Sequence, residues 1–238
     1  MARRVGLIIP SSNRMVEEEM VHHYPKGVVA HVNRLRMTGA NRKPLDQLLP
    51  EIEAAAAALV DAKCEVVTFH CTVTSMADGP EGERRILEAV KRAGAPQVAT
   101  TSTAVRAALD ACRAKRIALV TPYDKHKTDE EIEFLQGAGY EIAYAKGYEL
   151  ANSDAYCGTP PSVWRERMLA ARTADADVYF LSCANVQGIG VIAPLEAELG
   201  KPVLSSNQVV IWDALAKLGL ARDSGGPGSL FSKQPASN

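Results

Sequence analysis

The sequence predicts an α/β protein of two pseudo-symmetric lobes, each a parallel sheet flanked by helices, with a site in the cleft between them. Three observations carry that prediction. Short runs of Val, Ile, Leu and Phe alternate with longer helical stretches, and near-continuous apolar strands belong to parallel sheets covered on both faces. Two of these strands close on a thiol, Val66-Val67-Thr68-Phe69-His70-Cys71-Thr72 and Val178-Tyr179-Phe180-Leu181-Ser182-Cys183-Ala184-Asn185. The two cysteines lie 183 − 71 = 112 residues apart, and so do Pro10 and Pro122 (122 − 10 = 112), which end two similar strands. One offset serving two motifs implies an internal duplication that delivers a thiol from the same place in each half.

The first lobe, residues 1–115, opens on a buried strand at 5–9. Pro10-Ser11-Ser12-Asn13 is a turn able to cap a helix from near Met15, and Pro25-Lys26-Gly27 breaks that helix before the strand Val28–Leu35. A long loop reaches Pro44, which suits the first turn of a helix over 45–62. The run of five alanines from Ala54 to Ala58 favours helix and permits close packing on a sheet. After the Cys71 strand come a loop through Met76-Ala77-Asp78-Gly79, a helix over 81–92, a strand over 98–101 and a helix over 103–114.

The second lobe, residues 116–222, repeats the plan. A strand over 117–121 leads through Pro122-Tyr123-Asp124 into a helix ended by Gly137-Ala138-Gly139. A strand over 141–144 follows, then a loop over 149–161 holding Asn152, Asp154 and Cys157, a helix over 163–172, and the Cys183 strand. Pro202 to Asn207 mirrors Pro96 to Thr101 at an offset of 202 − 96 = 106, which puts 112 − 106 = 6 extra residues into the first post-cysteine loop. The stretch 223–238, rich in Gly, Ser and Pro, is expected to fray.

Composition limits the function. A net charge of −1 gives nucleic acid or an anionic membrane no obvious hold. No apolar run approaches the roughly 20 residues needed to span a bilayer, and Met1-Ala2-Arg3-Arg4 precedes a short strand, not a signal-peptide core. Five cysteines, an odd number, fit a reducing cytoplasm better than a disulfide framework. The histidines are scattered and no metal-ligand spacing occurs, so a metal site is not expected.

Ligands of open parallel sheets bind beyond the carboxyl ends of the strands. Cys71 and Cys183 are therefore the candidate catalytic groups, because both sit at that place in their own repeat. Tyr123, the repeat partner of Ser11 (123 − 11 = 112), should overlook the same cleft. Other polar residues read as structural. Cys64 opens a strand and Cys112 falls in a helix, where a thiol packs as a small hydrophobe. Cys157 reads as an exposed loop thiol, and Glu17 to Glu19 as a solvated helix face. His70 and Ser182 point away from the thiols by strand alternation, which makes His70 a packed histidine.

The motifs Pro10-Ser11-Ser12-Asn13, Cys71-Thr72, Pro122-Tyr123 and Ser182-Cys183-Ala184-Asn185, in that order, resemble the aspartate/glutamate racemase superfamily. The opening turn followed by acidic residues is most similar to the branch of maleate cis–trans isomerases and arylmalonate decarboxylases. The decarboxylases keep only the second cysteine, with glycine at the first, so the presence of both favours an isomerase or racemase. The resemblance implies Cys71 as nucleophile and Cys183 as partner acid/base, with Asn13, Tyr123 and Asn152 holding substrate carboxylates. Ser11 and Ser12, Thr72 and Val73, and Ala184 and Asn185 complete the implied substrate-binding set.

The expected reaction is addition of the Cys71 thiolate to the double bond of maleate, rotation about the new single bond, and elimination to fumarate. The alternatives are a two-thiol racemase, an arylmalonate-type decarboxylase, and a non-catalytic anion-binding protein. None of these routes calls on a metal, flavin, nicotinamide or pyridoxal phosphate. A small carboxylate is the expected partner, and the apolar helix faces suggest a homodimer or higher homo-oligomer.

Overall fold

The computed structural model describes residues 2–37, 43–220 and 226–233. The first half runs β1 (Arg3–Pro10), β2 (Val28–Leu35), α1 (Leu45–Asp61), β3 (Val66–Phe69), α2 (Thr72–Met76), α3 (Gly79–Arg92), β4 (Gln97–Thr100) and α4 (Thr101–Ala111). The second runs β5 (Arg116–Thr121), α5 (Lys125–Gly137), β6 (Glu141–Gly147), α6 (Ser153–Gly158), α7 (Pro161–Ala170), β7 (Val178–Leu181), α8 (Ile192–Leu199), β8 (Val203–Ser205) and α9 (Ser206–Lys217).

Two parallel four-stranded sheets result, ordered β2-β1-β3-β4 and β6-β5-β7-β8. The order is the same in both halves, and so is the central register. Val5 pairs with Val66 and Ile117 with Val178, and 117 − 5 = 178 − 66 = 112. The duplicated thiols are therefore carried on equivalent strands.

At the last strand of each half the offset changes. Phe69 faces Thr100 and Leu181 faces Ser205, so the matched positions differ by 205 − 100 = 105 residues, not the expected 106. Thr100 and Ser205 are the N-caps of α4 and α9, each in a reciprocal capping box, with Thr103 and Gln208 respectively. The cap is tied to the ladder, whereas Pro96 and Pro202 lie outside the strands and need not correspond. The first half thus holds 112 − 105 = 7 extra residues, and most of them lengthen α3, which has 14 residues where α8 has 8.

Strand alternation sorts the core. Val5, Leu7 and Ile9 of β1, with Ile117 and Leu119 of β5, pack into a cluster that includes α4 and α9. Ile8, Ala118 and Val120 point to the opposite faces. The helices α4 and α9 pack on each other and join the two halves. Gly6 lies under α1, where a Cβ would stand 3.0 Å from the Leu59 side chain, so a larger residue there would have to push Leu59 aside.

Four expectations are corrected. The helix near Met15 is a single π-helical turn, Val16–Met20, followed by a 3-10 turn, Val21–His23. The loop over 149–161 contains α6, too short for a periodic pattern and started by the Asn152 side chain accepting from the Ala155 N–H at 3.1 Å. The stretch after Cys71 begins directly as α2. Within the expected frayed tail, Leu230 and Phe231 are buried, Gln208 donates to the Pro227 carbonyl at 2.7 Å, and Glu196 binds Ser229. Two apolar side chains and these bonds dock the segment despite its Gly and Ser content; residues 221–225 and 234–238 lie outside the described residues.

Candidate active site

Each thiol stands two residues beyond the end of a central strand. His70 N–H donates to the Ile8 carbonyl at 2.8 Å, and its repeat partner Ser182 donates to Val120 at 2.9 Å. These bonds extend the ladders and leave the next residue free to turn. Cys71 turns as the extended N-cap of α2, and its thiol donates to Thr74 Oγ1 at 3.2 Å. Cys183 turns more sharply, at φ +114°, a conformation that L side chains rarely adopt. Its Sγ accepts the Asn185 N–H at 3.3 Å.

Both cysteines line one cavity at the carboxyl ends of the sheets, with about 400 Å³ of empty volume, open solvent included. Of the residues expected from the sequence, Ser12, Asn13, Thr72, Val73, Tyr123, Ala184 and Asn185 share that lining, and Ser11 and Asn152 do not. Ser11 is exposed and bonds to the Met37 carbonyl. Asn152 is exposed and spends its side-chain oxygen on capping α6. The sequence reading missed Ser153 and Tyr156, which α6 brings into the wall. Tyr156 meets Tyr123 edge-to-face, with centroids 5.8 Å apart at 77°. The signal available was Asn152 followed by Asp154, a helix start.

Among the described residues the lining contains no lysine or arginine, so an anion meets neutral donors there. Burial pushes the Cys183 thiol up to about 12; the Tyr123 hydroxyl and the Asn185 N–H pull it back, and Cys71 and Glu131 push it further. Cys183 therefore holds its proton at neutral pH, with two donors ready for the thiolate it would become. Burial likewise places Tyr123 well above the usual tyrosine value. The first amides of α2 lack acceptors within the helix, as every helix start does.

A network of bonds, most of them between the two halves, braces the cavity wall. Asn13 donates to the Ala184 carbonyl at 2.8 Å while accepting from the Val16 N–H at 3.0 Å, so both ends of its amide are committed. Asn185 accepts from the Arg14 N–H at 2.9 Å and donates to the carbonyls of Ser12 and Ser153. Ser12 and Ser153 share a hydroxyl–hydroxyl bond of 2.9 Å, and at the rim Arg14 pairs with Asp154. Asn185 is thus a clamp on the wall.

Other assignments sort themselves by contact. His70 is fully buried between Thr101 Oγ1 and Asn207 Oδ1, each at 2.9 Å, and burial lowers its pKa to about 4. An acceptor on Nε2 makes Nε2 the protonated nitrogen of a neutral ring. The same Asn207 donates to Glu19 at 2.8 Å, and Glu19 also accepts the Ile189 N–H at 2.6 Å. The acidic run is therefore not simply a solvated face, because Glu19 ties the two halves together. Cys157 is buried rather than exposed: α6 folds its thiol under to the Asp154 carbonyl, and Gln187 holds its own carbonyl at 2.7 Å. Among the described residues no three His, Cys, Asp or Glu side chains converge as a metal site.

The resemblances follow this geometry. A maleate isomerase from Pseudomonas putida is 30% identical over 243 residues, covering 96% of this chain and 97% of its own. The crystal structure of a maleate isomerase from Pseudomonas putida S16 with maleate superposes with a TM-score of 0.90 at 26% identity, covering 100% of both chains. A cysteine-to-serine mutant of the Nocardia farcinica maleate cis–trans isomerase, with a covalently bound succinylcysteine intermediate, gives a TM-score of 0.87 at 28% identity, covering 97% of this chain and 98% of that one. The sequence profile described as arylmalonate decarboxylase matches residues 5–231, nearly the whole chain, and the protein belongs to that family.

Proposed function

We propose that the chain is a cofactor-independent cis–trans isomerase that converts maleate to fumarate through a thiolate adduct on Cys71. The observation that carries this reading is the pair of thiols from equivalent strand ends, lining one cavity whose other described groups are neutral. A decarboxylase with glycine at the first position would lack Cys71.

Cys71 attacks one alkene carbon as the thiolate, the reactive form of the group, and a C–S bond forms as the π bond breaks. The electron pair passes to the neighbouring carbon, which takes the proton of Cys183. A thiol held near 12 keeps that proton until a strong base appears. The product is a succinyl adduct with a single C–C bond, free to rotate. The Cys183 thiolate, stabilised by Tyr123 and the Asn185 N–H, then removes the proton, the C–S bond breaks, and fumarate leaves.

The roles of the remaining groups belong to the same proposal. The N–H groups of Thr72 and Val73 meet the carboxylates, and the one hydroxyl hydrogen of Tyr123 serves a carboxylate while Cys183 is protonated and the Cys183 thiolate once it forms; Ser12 and Ala184 shape the wall, and Asn13 and Asn185 brace it. The five cysteines, none of them in a disulfide, fit a reducing compartment. Incubation with maleate, followed by proton NMR of the olefinic region, tests the proposal. Fumarate is expected to accumulate, and its absence with a folded enzyme would reject the isomerase reading.

A further inference from the structure

One buried hydroxyl touches both thiol-bearing turns. Ser206 opens α9 and is fully buried. Its Oγ accepts the backbone N–H of Cys183 at 3.0 Å and the hydroxyl of Thr72, the residue after Cys71, at 2.9 Å. We propose that Ser206 is a positioning residue for the isomerisation, fixing where the two thiols stand relative to each other while touching neither the substrate nor a reacting atom.

Backbone strain at Cys183 explains why such a residue is needed. A non-glycine residue at φ +114° persists only where its surroundings over-determine it. The Ser206 bond holds the Cys183 amide itself, and the Ser182 hydroxyl is anchored on Glu131 at 3.0 Å one residue earlier. Ser206 is in turn fixed by the capping box at Ser205 and Gln208.

The adjoining Asn207 reaches His70, the residue before Cys71, so the first turn of α9 grips the Cys71 segment on both sides. The matching residue of the first half, Thr101 (206 − 101 = 105), bonds instead to His70 and to the Phe69 carbonyl, within its own half. Of these two matching residues, Ser206 alone joins the two thiol-bearing turns. The bond has a second effect: the Thr72 hydroxyl hydrogen is spent on Ser206, which leaves the Thr72 backbone N–H as its donor toward the cavity.

The inference rests on the reading of Cys71 and Cys183 as the working pair. Its test uses Ser206→Ala and Ser206→Thr, the latter because threonine occupies the matching N-terminal position of α4. Wild-type turnover of maleate is measured first, and its absence rejects the functional reading without touching the placement of Ser206. Where turnover is present, folded Ser206→Ala is expected to lose about 10- to 100-fold in kcat, the scale of a small misplacement of reacting groups. Its KM should stay within about threefold, since the carboxylate donors are intact. Ser206→Thr should recover most of the loss.

A second readout needs no substrate: the rate of iodoacetamide labelling at each cysteine, followed by peptide mass spectrometry. Ser206→Ala should speed labelling of Cys183 several-fold while Cys64 and Cys112 stay unchanged, and Ser206→Thr should reverse the effect. Should Ser206→Ala fail to fold, Thr72→Val removes only the donor from Thr72 and is expected to lower kcat in the same way. The proposal is overturned if the folded alanine variant matches wild type in both kcat and Cys183 labelling within about twofold, or if Ser206→Thr is as impaired as Ser206→Ala.

Discussion

Glu131→Gln should flatten the alkaline loss of stability, and the expected size follows from where the carboxyl sits. Glu131 is fully buried on α5, its Oε1 accepting the Ser182 hydroxyl at 3.0 Å and its Oε2 without a partner among the described residues. Burial raises its pKa from 4.5 to about 8, against a lowering by Ser182, with a further rise from Glu130. Below the unfolded value both states are protonated. As pH climbs, the unfolded chain releases its proton while the folded chain keeps it, so stability falls until the folded carboxyl ionises. A gap of that size amounts to about 4–5 kcal/mol between about pH 4.5 and about pH 9.

Glutamine cannot titrate, and its amide nitrogen, set where Oε2 lacks a partner, adds a pH-independent cost of about 1–3 kcal/mol. Urea unfolding of both proteins across that range should therefore show the difference, variant minus wild type, climbing steadily with pH. Parallel curves would show that Glu131 ionises freely in the folded protein and that its surroundings are misjudged.

Three further outcomes follow from the same structure. His70, neutral in the fold with a pKa of about 4 against 6.5 for the free group, should cost the wild type up to about 3 kcal/mol as pH falls from about 6.5 to about 4, because only the unfolded chain gains a proton there; His70→Gln should lack this acid slope in the same unfolding assay. Tyr123→Phe removes the hydroxyl that stabilises the Cys183 thiolate, so kcat/KM for maleate should fall by about 1–3 kcal/mol, and Cys183 should label more slowly at alkaline pH. Asn185→Ala deletes the clamp between Arg14, Ser12 and Ser153 and should lower unfolding stability by about 1–3 kcal/mol, with Cys157 becoming more reactive as α6 loosens.

Much of this arrangement was legible in the chain because duplication leaves a numerical trace. The 112-residue offset located both thiols and matched the strand registers, since central parallel strands tolerate no slip without exposing their apolar faces. Where the trace was read from Pro96 and Pro202 it failed by one, because capping at Thr100 and Ser205 and not the flanking prolines sets the phase. His70 was placed by strand alternation alone. Short-range turn chemistry was harder to read: α2 and α6 are each about one turn long, below what periodicity can reveal. With α6 unseen, Ser153 and Tyr156 could not be placed in the wall, and the use of the Asn152 oxygen as the cap of α6 is not legible either. Ser206 reaches Thr72, and Glu19 its partners Ile189 and Asn207, across more than a hundred residues, which nothing in their local sequence announces.

The division of labour between the two thiols is the central claim, and intact-protein mass spectrometry of Cys183→Ser mixed with maleate tests it most directly. Serine is a poor acid or base at neutral pH, so turnover should slow while Cys71 remains able to add to the alkene. The variant is expected to gain the mass of one maleic acid, mapped by peptide analysis to Cys71, and Cys71→Ser is expected to gain none. Absence of adduct on Cys183→Ser, under conditions where the wild type converts maleate, would contradict covalent isomerisation and assign the two cysteines to proton transfer alone.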